Sequence, residues 1–351
     1  MNRKTVILYG AYGYSGKLIA QKLLGSAIQF DLILAGRNKV KVDKMGRDLK
    51  TESRSFALER PEDVAAGLDG CDFLINAAGP FSQTAEPLLK SCIDLKCHYL
   101  DITGELEVFE TIFSFDSELK RSQTLAMPGV GFDVVPSDCL AVELKSRLPD
   151  AQSLEMAFNP EGGASVGTLK TAIEMLGHGT AVRRDGKIIY GDAKVKRDID
   201  SQHMNTAMSV SWGDVSTAFH STGIPNITVF LASSDFQTSM SMFVSKFKVI
   251  FKRPRFIRIS KKLVEKFIDG PTEEVREKSR CYFWGEVRSA KGESESFEFS
   301  TPNGYSLTAS TAVKILEKLI LAEELKGGFQ TPGAYFGSQL IREIDGVEWP
   351  V

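Results

Sequence analysis

Histidine is scarce in this chain, with 4 in 351 residues, and the cysteines, Cys71, Cys92, Cys97, Cys139 and Cys281, are odd in number with no CxxC pair. That argues against a disulfide-stapled scaffold and a zinc finger, and fits free thiols in a reducing compartment. "CIDLKCH" brings Cys92, Cys97 and His98 close in sequence, but its cysteine spacing misses the usual zinc pattern. Buried thiols and no metal are expected. An excess of one charge is also lacking: 43 Lys and Arg against 45 Asp and Glu give a net −2. A general nucleic-acid binder carries a basic excess, so no nucleic acid is expected as partner. No apolar run approaches the ~20 residues of a membrane-spanning helix. "MNRKTVILYG" enters a strand-like run with neither a signal-peptide core nor a cleavage site, and the expected location is cytoplasmic.

With those classes set aside, a composition of 42% hydrophobic and 25% charged residues is that of an ordinary globular protein, long enough for two domains. Over the first 130 residues strand and helix signals alternate. "TVILYG", "FDLILAG", "SRSFALE", "CDFLINAAGP", "HYLDITG" and "TLAMPGVG" read as strands. "SGKLIAQKLL", "KVDKMGRDL", "PEDVAAGL" and "TAEPLLKSCIDL", the last with Pro87 in its first turn, read as helices. Alternation with short connections predicts a doubly wound parallel sheet of the Rossmann type, and near-continuous apolar strands predict cover on both faces. Beyond Pro128 the rhythm changes. "SLEMAFN", "GKIIYG", "AMSVSW", "NITVFLAS", "CYFWGEV" and "ESFEFS" read as strands with few crossovers, and "SVGTLKTAIEML" as a helix among them. The fold class is therefore α/β with a second α+β domain on a mainly antiparallel sheet. The expected division is 1–130 for nucleotide binding, with a C-terminal return over 330–351, and 131–329 for substrate and dimerisation. "TASTAVKILEKLILAEELKGG" reads as an amphipathic helix, and the apolar tail after it is expected back near the first domain.

The first strand runs into "GAYGYSG", with glycines at 10, 13 and 16. Gly10 supplies a conformation that a β-carbon would obstruct, Gly13 lets a pyrophosphate approach the backbone, and Gly16 lets the helix pack closely. Tyr12, Tyr14 and Ser15 line the same turn. The helix that follows offers backbone N–H groups and a partial positive charge to phosphate. The spacing is GxxGxxG, and its place between a strand and a helix supports dinucleotide binding over a merely tight turn. An NAD site places Asp or Glu about 20 residues on. Here Arg37 and Asn38 stand there, with Lys39 and Lys41 beyond. An arginine suits a 2′-phosphate, so the cofactor is expected to be NADP(H); the competing reading leaves Arg37 a solvated charge with loose cofactor preference.

Later strand ends converge on the same edge, where doubly wound sheets hold ligands. "NAAGPFSQ" brings Ala77, Ala78, Gly79, Pro80 and Phe81, and "YLDITGE" brings Asp101. Asp133, Ser137 and Asp138 in "GFDVVPSD" are the candidate catalytic groups; alternatively they cap the next helix. "YGDAK" at Tyr190 to Lys194 matches a Tyr/Lys catalytic spacing but reads as a turn, without the helical neighbour geometry that pair needs. His178 reads as structural, and Ser165, Gly167 and Thr168 as a helix cap. In "KFKVIFKRPRFIRISKKLVEKF" cations interleave with Phe and Ile over 246–262. A solvated helical face is favoured there, with peripheral contact to an anionic membrane as the alternative.

Taken together, "GAYGYSGKLIA", "LAGRN", "INAAGPFSQTAEPLLKSCID", "HYLDITGE" and "GVGFDVVPSDCLA" resemble the saccharopine dehydrogenase-like oxidoreductases, and among them the trans-acting enoyl reductase group. The similarity continues through "SVGTLKTAIEML", "WGDVSTAFHSTGIPNITVF", "GPTEEVREKSRCYFWGEV" and "GGFQTPGAYFG". Tyr12 departs from it, standing where relatives commonly carry a smaller residue such as threonine. The resemblance implies an NADP(H)-dependent oxidoreductase reducing a C=C or C=N/C=O bond of a small or lipid-like metabolite. One alternative is a saccharopine-type amino-acid dehydrogenase, for which Arg183 and Arg184 would have to receive substrate carboxylates. Another is a non-catalytic NADP(H) sensor or membrane-surface scaffold. A homodimer through the second-domain sheet follows by analogy alone.

Overall fold

The computed structural model describes residues 3–161, 180–191, 195–232 and 272–350. The chain divides into two compact units: Met1–Val135 with Tyr305–Tyr335, and Pro136–Gly304 with Phe336–Val351.

The first unit opens as strand and helix in turn: β1 (Lys4–Tyr9), α1 (Tyr14–Leu24), β2 (Phe30–Gly36), α2 (Lys39–Leu49), β3 (Glu52–Ser55), α3 (Pro61–Gly67), β4 (Phe73–Asn76), α4 (Phe81–Leu95), β5 (His98–Asp101), α5 (Leu106–Ser114), α6 (Asp116–Ser122) and β6 (Leu125–Met127). All six expected strands are present. The last four residues of β1 and all of β4 are buried, as strands covered on both faces must be. In α1 the buried residues are Gly16, Ile19, Ala20 and Leu23, one face of a 3.6-residue period. The more polar α2 is capped by the Asn38 side chain and carries Lys39–Asp43 and Lys44–Asp48 ion pairs one turn apart. Pro87 is not in a first turn: α4 begins at Phe81, and the proline lies inside the helix.

The second unit holds α7 (Val135–Arg147), β7 (Ala151–Pro160), β8 (Thr180–Arg184), β9 (Lys187–Gly191), β10 (Lys196–Asp198), β11 (Thr206–Ser209), α8 (Asp214–Thr222), β12 (Asn226–Ala232), α9 (Glu273–Lys278), β13 (Arg280–Ser289) and β14 (Ser294–Pro302). Its sheet runs β10-β11-β12-β7-β13-β14, with β8 between β12 and β9. The β12–β7 pair is parallel and the other pairs are antiparallel, so the mainly antiparallel expectation stands. A β-carbon on Gly285 would lie 2.7 Å from Leu144 and 3.1 Å from Leu140, which shows how closely α7 lies on β13. Ala157, Met204, Phe230 and Trp284 belong to a separate buried cluster of this unit.

The chain then returns through α10 (Gly304–Leu321), β15 (Gly328–Phe329), α11 (Pro332–Phe336) and α12 (Gln339–Arg342). β15 adds a seventh parallel strand, giving the order β15-β6-β5-β4-β1-β2-β3. The return into the first unit starts at Tyr305 instead of 330, because α10 is fastened there. Phe132 N donates to Thr308 Oγ1 at 3.0 Å, and Ser26 Oγ donates to Glu317 at 2.6 Å. From Phe336 onward the tail joins the second unit, where Glu348 bridges to Ser300 in strand fashion.

Candidate functional site

Register places the site. Tyr9 pairs with Ala35 on one side and Asn76 on the other, and Asn76 pairs with Asp101, so four strands end in one row. The strand order reverses at β1, between β2 and β4, and that switch point is where a doubly wound sheet opens a ligand crevice.

The glycine turn is built into that crevice. Gly10 has φ +83°, and its β-carbon would sit 2.7–2.9 Å from the backbone of Ala77 and Ala78. Only glycine fits. Gly10 N and Ala11 N donate to Ala35 O at 2.9 and 3.2 Å, which hangs the turn on the end of β2. Gly16 is needed for packing on the turn itself, since a β-carbon would overlap the carbonyl oxygens of Gly10 and Ala11. Gly13 is the N-cap of α1, with no side-chain cap and no acid in the first turn. Its β-carbon would meet Gly10 O alone, at 3.2 Å, so its other side faces open space. An uncapped N-terminus facing open space fits a pyrophosphate: backbone donors converge there with a partial positive charge.

At the end of β2, Arg37 is exposed. Among the described residues neither Arg37 nor Lys41 has a carboxylate partner, whereas Lys39 is paired with Asp43. Asn38 turns its side chain to Lys41 N (3.1 Å) and caps α2. Tyr12 lies across Gly36, and its hydroxyl accepts from Asn38 N at 3.3 Å. Tyr14 packs edge-on against Tyr305 with ring centroids 4.9 Å apart.

The loop after β4 is held from below. Asn76 Oδ1 accepts from Ala78 N (3.0 Å), and Thr84 Oγ1 donates to Ala78 O (2.7 Å). The Gly79–Pro80 peptide is cis. Glu105, from the loop after β5, takes the N–H groups of Phe81 and Ser82 at 2.9 and 2.8 Å and caps α4 with its carboxylate. Asp101 closes β5. It is fully buried, accepting from Thr103 N, Gly129 N and Tyr99 Oη at 3.0, 2.9 and 2.8 Å. Burial pushes it up to about 6, against hydrogen bonds that pull it down. Both oxygens are thus engaged inside the protein. Asp101 thereby joins the ends of β5 and β6.

Of the three catalytic candidates, Asp133 falls in the first unit and Ser137 and Asp138 in the second. Asp133 stays at the sheet edge, its Oδ2 2.8 Å from where a Gly104 β-carbon would stand. Burial first, and the Glu105 charge second, push it up to about 7. Ser137 and Asp138 are buried in the second unit, inside the first turn of α7 and not at its cap. Ser137 Oγ donates to Asp214 Oδ1 at 2.7 Å, and Ser221 Oγ donates to Asp138 Oδ1. The two pairs cross between α7 and α8 and give Ser137 and Asp138 hydrogen-bond partners within the second unit.

Other readings resolve in the same way. Arg183 is buried, donating to Val215 O and Gly186 O and lying 4.1 Å over the Phe219 ring. Arg184 donates to Thr228 Oγ1 at 3.0 Å. Both guanidinium groups are engaged in framing β8, which weighs against their receiving substrate carboxylates. Tyr190 is exposed on strand β9, while Lys194 lies outside the described residues. So do Ser165, Gly167, Thr168, His178 and the basic stretch 246–262. Cys97 Sγ lies 2.9 Å from Cys71 Sγ, and His98 Nδ1 accepts from Leu125 N. Among the described residues no group of three His, Cys, Asp or Glu could hold a metal, and no helix is long and apolar enough to cross a membrane.

Comparison with known proteins agrees with this geometry. Residues 6–127 match the family model of the saccharopine dehydrogenase NADP binding domain. The trans-acting enoyl reductase of Mycobacterium leprae is 28% identical over 159 residues, 43% of this chain and 38% of that one. That of Mycobacterium bovis is 26% identical over 195 residues, 51% of this chain and 47% of its own. The chain therefore spans less than half the length of these curated relatives. In fold it is similar to saccharopine dehydrogenase (L-Glu forming) of Saccharomyces cerevisiae, with TM-score 0.67, 13% identity and 99% of both chains covered. It is also similar to the homospermidine synthase of Legionella pneumophila in complex with NAD, with TM-score 0.63, 11% identity and 100% and 92% covered. The parallel sheet, the open glycine turn and the family match thus agree on an NADP-binding domain over residues 6–127, similar to that of the saccharopine dehydrogenases.

Proposed function

We propose that the chain is an NADP(H)-dependent oxidoreductase that reduces a C=C or C=N/C=O bond of a small or lipid-like metabolite. The observation that carries this reading is the open N-terminus of α1 at the strand-order reversal, with Arg37 at the end of the neighbouring strand. Gly10, Gly13 and Gly16 with Tyr14 and Ser15 receive the pyrophosphate, Arg37 the 2′-phosphate, and Ala77 to Phe81 the nicotinamide side. The bound nicotinamide supplies or takes the hydride. The protein's part would be to hold the nicotinamide side through the Ala77–Phe81 loop and to deliver a proton. Asp133 is the proton donor in this reading: it stands on the sheet edge and, at about 7, keeps a proton to give at neutral pH. The names of the relatives support an enoyl-type reduction.

Titration with NADPH and NADH, followed by nicotinamide fluorescence in the wild type and Arg37→Ala, tests the cofactor half. Preference for NADPH that disappears in the variant supports it, and absence of binding to either nucleotide refutes it. A screen of enone and imine substrates tests the chemistry. Tight NADPH binding with no turnover on any of them would favour the sensor reading.

A further inference from the structure

Tyr12 is an unusual group to find in the first gap of a phosphate-binding glycine turn, and its surroundings explain its presence. The ring is half-buried across the end of β2. A β-carbon on Gly36 would lie 2.6 Å from Tyr12 Cε1, so the ring can take this pose only because residue 36 is glycine. The hydroxyl accepts the N–H of Asn38 at 3.3 Å. Asn38 in turn caps α2 through its side chain, at 3.1 Å from Lys41 N. Arg37 is therefore held between two residues that Tyr12 fixes, one by packing and one by a hydrogen bond. Lys41 Nζ stands 5.8 Å from the centroid of the same ring, within cation–π reach.

A phenol hydroxyl both accepts and donates. Asn38 N–H uses an acceptor lone pair of Tyr12, and no acceptor for the Tyr12 proton occurs among the described residues. Arg37 and Lys41 likewise have no carboxylate partner among the described residues, although Lys39 beside them does. One neutral donor and two uncompensated cations, all organised by one ring, make a site for a small dianion.

We propose that Tyr12 is a specificity-determining residue whose hydroxyl donates to the cofactor's ribose 2′-phosphate, with Arg37 and Lys41 supplying the charge. This rests on the assignment of Arg37 to that phosphate. Tyr12 then reads the phosphate directly and holds Arg37 in place to read it.

NADP⁺ and NAD⁺ differ by that one phosphate, so the test compares their Kd values by calorimetry, with no turnover required. Tyr12→Phe keeps the ring and removes the hydroxyl. It is expected to weaken NADP⁺ about 10-fold, the weight of one hydrogen bond to an anion, and to leave NAD⁺ unchanged. Gly36→Ala, which pushes the ring away without touching either cation, is expected to reduce the same discrimination. An unchanged NADP⁺ Kd in Tyr12→Phe would overturn the proposal. So would an equal loss for both nucleotides, which would make Tyr12 only a support of the turn. Arg37→Ala separates the layers: if NADP⁺ binding survives it unchanged, the 2′-phosphate assignment itself fails.

Discussion

Ser137 and Asp214 meet through a 2.7 Å hydrogen bond between two helices, and both residues are buried. Two turns further along α8, Ser221 returns the favour to Asp138. A carboxylate deprived of its hydroxyl partner in such a place keeps its desolvation cost. Ser137→Ala and Ser221→Ala are each expected to lower stability by about 2 kcal/mol in urea titrations. NADPH affinity should not change. A loss of affinity without loss of stability would place these residues in the active site.

Gly10→Ala is expected to be far worse than Gly223→Ala, although both positions have positive φ, +83° and +69°. At Gly223 a β-carbon meets nothing within 4 Å, so backbone strain alone, about 1 kcal/mol, is the cost. At Gly10 it would press on the Ala77–Ala78 backbone as well. About 3 kcal/mol or more, with loss of nucleotide binding, is expected there. Equal costs in the two variants would contradict the close approach.

Asp133 links stability to pH. Its folded value, about 7, lies above the ordinary 3.8, so between those values the folded state holds a proton that the unfolded chain has released. This contribution to stability is present below about pH 4 and is lost as pH rises toward 7. Asp133→Asn should be more stable than the wild type at pH 8 by about 2 kcal/mol, and the difference should vanish near pH 4. If Asp133 also donates the proton in catalysis, the wild-type reduction rate falls above about pH 7. Parallel pH–stability curves for the two proteins would refute the burial argument.

All five cysteines are buried, the most exposed being Cys71 at 9%. Burial pushes every one of their thiols up, away from the reactive thiolate. An Ellman titration of the native protein should therefore read close to zero, and five equivalents after denaturation. Rapid native labelling would show that the core around Cys71 and Cys97 opens.

The parallel sheet was legible because β1, β2 and β4 announce themselves as apolar runs, and the glycine turn because its residue type follows from backbone geometry. The second sheet was read less fully. β8 carries Arg183 and Arg184 in the place of apolar residues, and their guanidinium groups are absorbed by backbone carbonyls distant in sequence. In α8, Asp214, Ser216 and Thr217 are buried beside Val215 and Ala218, so no apolar stripe marks the helix. The roles of Ser137 and Asp138 depend on partners 77 and 83 positions away, which no local pattern reveals. Asp101 was placed on the correct edge, but nothing in "HYLDITGE" tells that its carboxylate turns inward.

That inward turn has a dynamic consequence. Asn76 donates to Tyr99 Oη, Tyr99 donates to Asp101, and Asp101 accepts from Gly129 N, so side chains and backbone tie the ends of β4, β5 and β6 crosswise. The amides of Ala78, Thr103 and Gly129 all point into this web. They should exchange with solvent deuterium only when the whole web opens, as one cooperative unit. The floor of the crevice then behaves as a rigid plate, and the motion that admits and releases a ligand is left to the segments around it.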